Sequence, residues 1–357
     1  MKYLISGGGT GGHIFPAVSI ANALKQLDPQ ADILFVGAES RMEMTRVPEA
    51  GYQIIGLPIR GFDRSNLLRN IPIMIDLLKS MRKARKIVRE FRPDVGVGVG
   101  GYASGAAMKV AAKMGVPILL QEQNGFAGVT NKLLKDDAAK ICVAYENMQR
   151  FFPAEKIILT GNPVRQNLLN GKRTLPDGLK RLLVIGGSLG ARTINQAIAA
   201  HLNEIQEAGI DLVWQTGKTY IDEYKHLNAE HVRVTDFLGN MPEEYANADL
   251  VISRAGASSI SEICMLGKAS ILVPSPNVAE DHQTHNAMAL VAKDAAVMVK
   301  DIDAQEQLVS KALEMLANPQ QLQNLRTNAL ALGKPNAAET IAKEVIKLAE
   351  KKPEKQK

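Results

Sequence analysis

Aromatic residues are few in this 357-residue chain: Phe, Tyr and Trp make up 4% of it, with a single tryptophan. Surfaces that bind single-stranded nucleic acid are built on aromatic platforms. None lies between Arg64 and Glu90, where basic residues are densest, so nucleic acid is not expected as a partner. Cysteine is scarcer still. Cys142 and Cys264 stand far apart in apolar surroundings and read as two core thiols in a reducing compartment, not as a disulfide or a metal pair. A long apolar block is also missing. The longest stretch free of Asp, Glu, Lys and Arg is 3–24, and five glycines, a histidine and a proline interrupt it. Such a segment would expose backbone and polar groups to lipid, and it lacks the solid apolar block of a signal peptide. The expectation is a cytosolic protein unless something holds it to a surface.

What is present is a soluble composition, 46% hydrophobic and 22% charged, long enough for two domains that each bury a core. The net charge of +6 is uneven. Residues 1–165 carry 22 basic and 14 acidic side chains, and within 60–92 ten basic residues face three acidic ones. The excess is one patch on the first half, which bears on partners and not on fold.

β-rich runs and helical stretches alternate along the chain. Strands are expected at 3–6, 33–36, 53–57, 95–99, 118–121, 140–143 and 156–159, then at 181–185, 211–215, 232–235, 250–253, 270–272 and 296–299. Helices such as 17–27, 73–90, 191–202 and 304–317 separate them, the pattern of crossover units on parallel sheets. The chain also starts twice. Residues 2–12 lead from strand through a glycine loop into a helix, and 181–190 repeat the arrangement. The reading is α/β, two doubly wound Rossmann-like domains with a cleft between them, where a ligand would bind outside the carboxyl ends of both sheets. The domains are placed at 1–163 and 164–350, followed by a mobile polar tail at 351–357.

Gly7-Gly8-Gly9-Thr10-Gly11-Gly12 fits the spacing of a dinucleotide loop, whose missing Cβ atoms let backbone N–H groups approach an anion at a helix N-terminus. Against a nicotinamide cofactor, the second strand ends Phe35-Val36-Gly37 with no acid at its tip. The second loop, 186–190, does not have that spacing. Gly217-Lys218-Thr219 ends like a Walker loop, but Leu212 stands where its first glycine belongs, so the segment reads as a turn closing a strand. A third place is Arg254-Ala255-Gly256-Ala257-Ser258-Ser259-Ile260-Ser261-Glu262. Here a helix N-terminus and two hydroxyls could meet phosphate, and Glu262, about one turn in, could accept two ribose hydroxyls. The competing reading makes Ser258 or Ser259 the helix cap and Glu262 the end of a capping box. The residues by themselves leave both open.

Taken together, Gly-Gly-Thr-Gly-Gly-His at 8–13, Gly-Gly-Tyr at 100–102, Gln-Glu-Gln-Asn at 121–124, Gly-Asn-Pro-Val-Arg at 161–165, Gly-Gly-Ser-Leu-Gly at 186–190 and Arg-Ala-Gly-Ala at 254–257 resemble the MurG family. These are the peptidoglycan N-acetylglucosaminyltransferases of the two-domain GT-B class, and the resemblance covers nearly the whole chain. It implies inverting transfer of GlcNAc from UDP-GlcNAc to the C4 hydroxyl of MurNAc in undecaprenyl-pyrophosphoryl-MurNAc-pentapeptide (lipid I), giving lipid II for peptidoglycan synthesis. It implies no cofactor, a peripheral place on the cytoplasmic face of the inner membrane, and room for other cell-wall enzymes as partners. By the same resemblance Glu262 holds the ribose and Leu238 packs at the uracil, while Ser188, Ser258 and Ser259 bind the diphosphate with Arg165 nearby. Ala257, Ile260 and Ser261 complete that helix start. Gln283 and Ala257 meet the sugar, Asn124 meets it from the first domain, and Thr10, Gly11 and Gly12 close over the donor and present the acceptor.

His13 follows the first loop directly and is the expected base; its competing role is to bond phosphate or cap the loop. Glu122 is a second candidate base, with orienting the loop that carries Asn124 as the alternative. No metal site is expected. Asp301-Ile302-Asp303 reads as a cap for the helix that follows, and His282-Gln283-Thr284-His285 as packing, because no third ligand is evident. The apolar residues of 71–81 lie beside Arg60, Arg64, Arg69, Lys79, Arg82, Lys83, Arg85, Lys86 and Arg89, a mixture suited to an anionic membrane surface. A crossover helix with its stripe in the core would account for part of that pattern.

Overall fold

The computed structural model describes residues 1–60, 70–187 and 189–351. The chain forms two compact units, one of Met1–Val164 with Pro335–Lys357, the other of Arg165–Lys334. The expected tail falls almost wholly outside the described residues, as do Arg64, Arg69 and Ser188.

In the first unit the strands are β1 (Lys2–Gly7), β2 (Asp32–Ala38), β3 (Gln53–Leu57), β4 (Val95–Gly100), β5 (Ile118–Glu122), β6 (Lys140–Val143) and β7 (Ile157–Leu159). They pair in the order β3-β2-β1-β4-β5-β6-β7, parallel at each described pairing. The helices are α1 (Gly11–Leu27), α2 (Glu43–Glu49), α3 (Asn70–Phe91), α4 (Tyr102–Lys113) and α5 (Val129–Leu134). A sheet covered on both faces needs apolar residues at successive positions, and this one has them. Tyr3 and Ile5 enter one core with α1, while Leu4 between them enters the other with α3 and α4. β4 shows the division most sharply. Val95, Val97 and Val99 fill one face. On the other, a Cβ at Gly98 would come within 2.9 Å of Met108 and Leu120, so glycine lets α4 lie close on the sheet.

The second unit has β8 (Arg181–Ile185), β9 (Asp211–Gln215), β10 (Val232–Thr235), β11 (Leu250–Ser253), β12 (Ser270–Leu272) and β13 (Val297–Met298), in the order β10-β9-β8-β11-β12-β13. Its helices are α6 (Arg192–Ala200), α7 (Leu202–Glu207), α8 (Ile221–Tyr224), α9 (Met241–Asn247), α10 (Ala257–Met265), α11 (His282–Val291), α12 (Ala304–Ala317) and α13 (Pro319–Leu332). The helix expected over 191–202 is thus shorter, and the chain turns at His201 (φ −117°) before α7. Trp214 is fully buried, and its indole N–H donates to Asn195 Oδ1 at 3.0 Å, so the one polar atom of that side chain is satisfied.

One expectation is corrected by the packing. The last helix, α14 (Ala337–Glu350), was expected in the second domain, within 164–350, but it belongs to the first unit. Its stripe Ala338, Ile341, Ala342, Val345 and Ala349 joins the core made by α1 and β1. Fully burying Ile341 and Val345 contributes roughly 1.5–3 kcal/mol each.

Each sheet reverses its winding once, at β1/β4 and at β8/β11. In open α/β sheets ligands bind outside the carboxyl ends of the strands at such a switch point. Residues 8–10 follow β1 and Gly101 follows β4; 186–190 follow β8 and 254–256 follow β11. The glycine loops that follow β1, β4, β8 and β11 therefore come after the switch-point strands, where binding is expected.

Candidate active site

In the first unit the loop after β1 is built around close backbone approach. A Cβ at Gly101 (φ +91°) would lie 2.4 Å from the Gly8 carbonyl oxygen, and one at Gly100 (φ +100°) would lie 2.8–2.9 Å from the ring of His13. His13, in the first turn of α1, brings Nδ1 to 3.1 Å from the Gly8 carbonyl oxygen. A carbonyl only accepts, so Nδ1 carries the hydrogen in that bond, and in the neutral ring Nε2 is the basic nitrogen. A Cβ at Gly100 would meet Cδ2 and Nε2 of this ring at 2.8 and 2.9 Å, so the absent side chain leaves that edge of the imidazole uncrowded. Thr10 is the N-cap residue of α1, with its side chain 3.5 Å from His13 Nδ1, and Gly11 and Gly12 open the helix.

The sequence reading missed a carboxylate here. Glu43, at the start of α2, is fully buried, and its two oxygens accept the N–H groups of Gly9 (2.9 Å) and Ala38 (3.0 Å). A Cβ at Gly8 would fall 2.1 Å from it. The chain's own carboxylate thus takes up the Gly9 N–H of this glycine loop, a donor that such loops otherwise offer to a bound anion. The only local hint was Gly37, whose absent Cβ leaves room for the Glu43 stem at 2.6 Å.

Glu122, at the end of β5, is 2% exposed. Its carboxylate accepts from the Asn124 N–H (3.1 Å), the Gly128 N–H (3.0 Å) and Asn131 Nδ2 (2.9 Å). Donors surround both oxygens, an arrangement that organises the loop carrying Asn124. Behind it Gln121, Gln123 and Asn162 form a buried amide cluster, with Gln121 Nε2 donating to Asn162 Oδ1 at 3.0 Å and Asn162 Nδ2 to the Gln123 carbonyl at 2.9 Å.

In the second unit the central group is Glu262, on α10. Arg165 Nη2 donates to its Oε1 at 3.0 Å, and the hydroxyl of Tyr245, on α9, donates to its Oε2 at 3.1 Å. Tyr245 is buried, and burial first, then the Glu262 charge and their hydrogen bond, push its phenol well above the ordinary value of 10. It therefore acts as a donor at any physiological pH. The capping-box reading of this segment fails: the N-cap is Gly256, no side chain caps α10, and Glu262 points to Arg165 and Tyr245 instead. Ala257 opens α10, Ile260 is buried, and Ser261 Oγ bonds back to the Ala257 carbonyl at 2.8 Å. Ser258 Oγ is buried in the first turn with no hydrogen-bond partner, and Ser259 lies beside it. A buried hydroxyl without a partner is unusual, and a helix N-terminus without a cap is short of acceptors.

The remaining expected residues lie on loops of the same unit. Leu238 is 4% exposed, beside the outward-facing Phe237. Gln283, in the first turn of α11, accepts the Ser275 N–H at Oε1 (2.8 Å). Ser188 lies outside the described residues; among those described, a Cβ on Gly217 (φ +81°) would lie 2.1 Å from the nitrogen of Gly190 (φ +88°), so the two glycines depend on each other. Gly217-Lys218-Thr219 is accordingly part of the turn after β9, packed against Gly190. The capping role expected of Asp301 and Asp303 is corrected. Neither side chain caps α12; Asp301 instead pairs with Arg254 and accepts Thr193 Oγ1 at 3.0 Å, tying β11 to the start of α12. Among the described residues no three His, Cys, Asp or Glu side chains are grouped to hold a metal ion.

The stripe of α3 divides in two. Ile73, Ala84, Ile87 and Val88 are core, whereas Met74, Ile75 and Leu78 are about half exposed next to Lys79, Arg82 and Lys83. No helix of the described residues is long and apolar enough to cross a membrane.

Comparison with known proteins agrees with this arrangement in both units. Residues 3–143 match the glycosyltransferase family 28 N-terminal domain, and 181–344 match the glycosyltransferase family 28 C-terminal domain. A UDP-N-acetylglucosamine--N-acetylmuramyl-(pentapeptide) pyrophosphoryl-undecaprenol N-acetylglucosamine transferase of Bacteroides fragilis is 57% identical, over 98% of this chain and 96% of its own. The crystal structure of Acinetobacter baumannii MurG superposes with a TM-score of 0.81 at 28% identity, covering 97% of this chain and 99% of that one. A putative UDP-N-acetylglucosamine 2-epimerase from Listeria monocytogenes (TM-score 0.70, 12% identity, covering 95% of this chain and 94% of that one) shares the fold alone. With both domains in order and so close a full-length relative, the chain belongs to glycosyltransferase family 28, within the MurG family.

Proposed function

We propose that the protein transfers GlcNAc from UDP-GlcNAc to the MurNAc of undecaprenyl-pyrophosphoryl-MurNAc-pentapeptide, making lipid II. The observation that carries this reading is the 57% identity to a relative named for that reaction, over 98% of the chain. Within it the second unit binds the donor. Glu262 accepts the ribose hydroxyls, Leu238 lies under the uracil, and the diphosphate meets the start of α10, where Ser258 Oγ needs a partner. Helix N-termini contribute about 0.3–1 kcal/mol to an anion at the surface, and Arg165 and Ser188 add to this. Ser259, Ile260 and Ser261 shape that turn. Gln283, its oxygen committed to Ser275, offers its amide N–H groups to the sugar along with Ala257.

The first unit supplies acceptor and base. Thr10, Gly11 and Gly12 present the lipid-borne sugar, and Asn124 reaches the donor GlcNAc. His13 Nε2 takes the proton of the MurNAc C4 hydroxyl as O4 attacks the anomeric carbon. The bond from that carbon to the diphosphate oxygen breaks, UDP leaves, and configuration inverts. Glu122, its oxygens engaged by four donors, is assigned to holding the Asn124 loop rather than to proton transfer. The exposed Met74, Ile75 and Leu78 with the neighbouring basic residues rest on the anionic inner-membrane surface where the acceptor resides, each basic residue adding roughly 1 kcal/mol.

The test is incubation with labelled UDP-GlcNAc and a lipid I analogue. Wild type makes a labelled disaccharide; His13→Ala keeps UDP binding and loses about 10²–10⁴-fold in kcat. Label released only as free GlcNAc or ManNAc refutes the transferase reading, and an unchanged kcat in His13→Ala refutes the base.

A further inference from the structure

Glu262 is held from both sides before any ligand arrives. A carboxylate has about four lone-pair positions, two on each oxygen. Arg165 uses one on Oε1 and Tyr245 one on Oε2, at 3.0 and 3.1 Å. One acceptor position on each oxygen then remains, and the two are set a fixed distance apart along the carboxylate edge. Two acceptors so placed match a pair of vicinal hydroxyls and are poorly used by a sugar that has one.

The two clamps differ in kind. The Arg165 side chain is 42% exposed and is itself assigned to the diphosphate, so its grip can be shared with the ligand. Tyr245 is 1% exposed, anchored in α9, and has a hydroxyl that keeps its proton. It is the clamp that stays put.

We infer that Tyr245 is a positioning residue that fixes the Glu262 carboxylate so that the site selects a donor nucleotide with both ribose hydroxyls. The inference rests on the reading of Glu262 as the ribose ligand. Tyr245→Phe removes one oxygen and leaves the ring in its pocket. Without that donor the carboxylate can rotate about its last torsion toward Arg165 and lose the pairing of its two free positions.

The experiment compares UDP-GlcNAc with 2′-deoxy-UDP-GlcNAc as donors for the wild-type, Tyr245→Phe and Glu262→Gln full-length proteins. Wild type favours the ribo donor in kcat/KM, and Glu262→Gln brings the ratio near one. Tyr245→Phe raises KM for UDP-GlcNAc about tenfold, the order of one hydrogen bond, with kcat within twofold. Its KM for the deoxy donor barely moves, so the preference shrinks. A general structural role would raise both KM values together, and that result, or no change in either, overturns the inference. If Glu262→Gln loses the preference and Tyr245→Phe keeps it, the inference alone fails. If Glu262→Gln keeps it, the ribose reading fails and takes the inference with it.

Discussion

Replacing Glu43 with glutamine alters one atom of a buried side chain, and the structure lets its effect be worked out. The two carboxylate oxygens each accept a backbone N–H, from Gly9 and Ala38. A glutamine can keep one of these bonds. Its amide nitrogen must then face the other N–H, donor against donor, in the space that the missing Cβ atoms of Gly8 and Gly37 leave for this side chain. Hydrogen bonds to charged groups contribute about 1.5–3 kcal/mol, and an unsatisfied buried donor costs about 1–3 kcal/mol. Taking the low end of each gives roughly 2.5 kcal/mol. For a domain of this size each kcal/mol moves the midpoint about 2–4 °C, so calorimetry should find the first unit melting about 5–10 °C lower. Gly9 also adjoins Thr10 and the turn that seats His13, and misplacing a catalytic group by an ångström can cost about 10²-fold. The expected kinetic signature is a 10–100-fold fall in kcat with little change in KM for UDP-GlcNAc, since the residues assigned to the nucleotide (Glu262, Leu238 and the start of α10) lie in the other unit. A Glu43→Gln protein that melts within 2 °C of wild type and turns over normally would refute the idea that this carboxylate shapes the loop.

Two further predictions concern titration and reactivity. Burial, with Arg326 nearby, lowers Lys268 from its ordinary value near 10.5 to about 8. Folded and unfolded chains both hold this proton below pH 8; between about 8 and 10.5 only the unfolded chain does, so this residue makes stability rise with pH there by roughly 2–3 kcal/mol. Urea titrations of wild type and Lys268→Met at pH 7.5, 9 and 10 should show that rise in wild type and a flatter difference in the variant; parallel curves would contradict it. Burial also pushes both thiols up to about 12, with Glu344 adding to the effect on Cys142. A thiol reagent at pH 8 should leave the native protein unmodified and take up two equivalents in denaturant, and one fast equivalent in the native protein would be the contrary result.

What the sequence determined by itself was everything decided over short spans. Strand positions, the doubled strand–glycine-loop–helix opening, and the places needing no Cβ follow from local sterics and from apolar runs that a doubly covered parallel sheet requires. The strands at 53–57, 140–143, 181–185 and 250–253 are found where the residues placed them. The tertiary structure decided whatever depends on distant partners. Glu43 meets Gly9 from 34 residues away, Arg165 meets Glu262 across 97, and α14 returns to cover α1 from the far end of the chain. It also chose between readings that local pattern left equal. Glu262 and a capping box have the same spacing, and α3's apolar residues have one helical period whether they face core or lipid. Only the burial of Tyr245 beside Glu262, and of Ile73 and Ile87 but not Ile75 and Leu78, separates them, because a side chain's partner is set by where the fold brings another surface and not by its own neighbours in sequence.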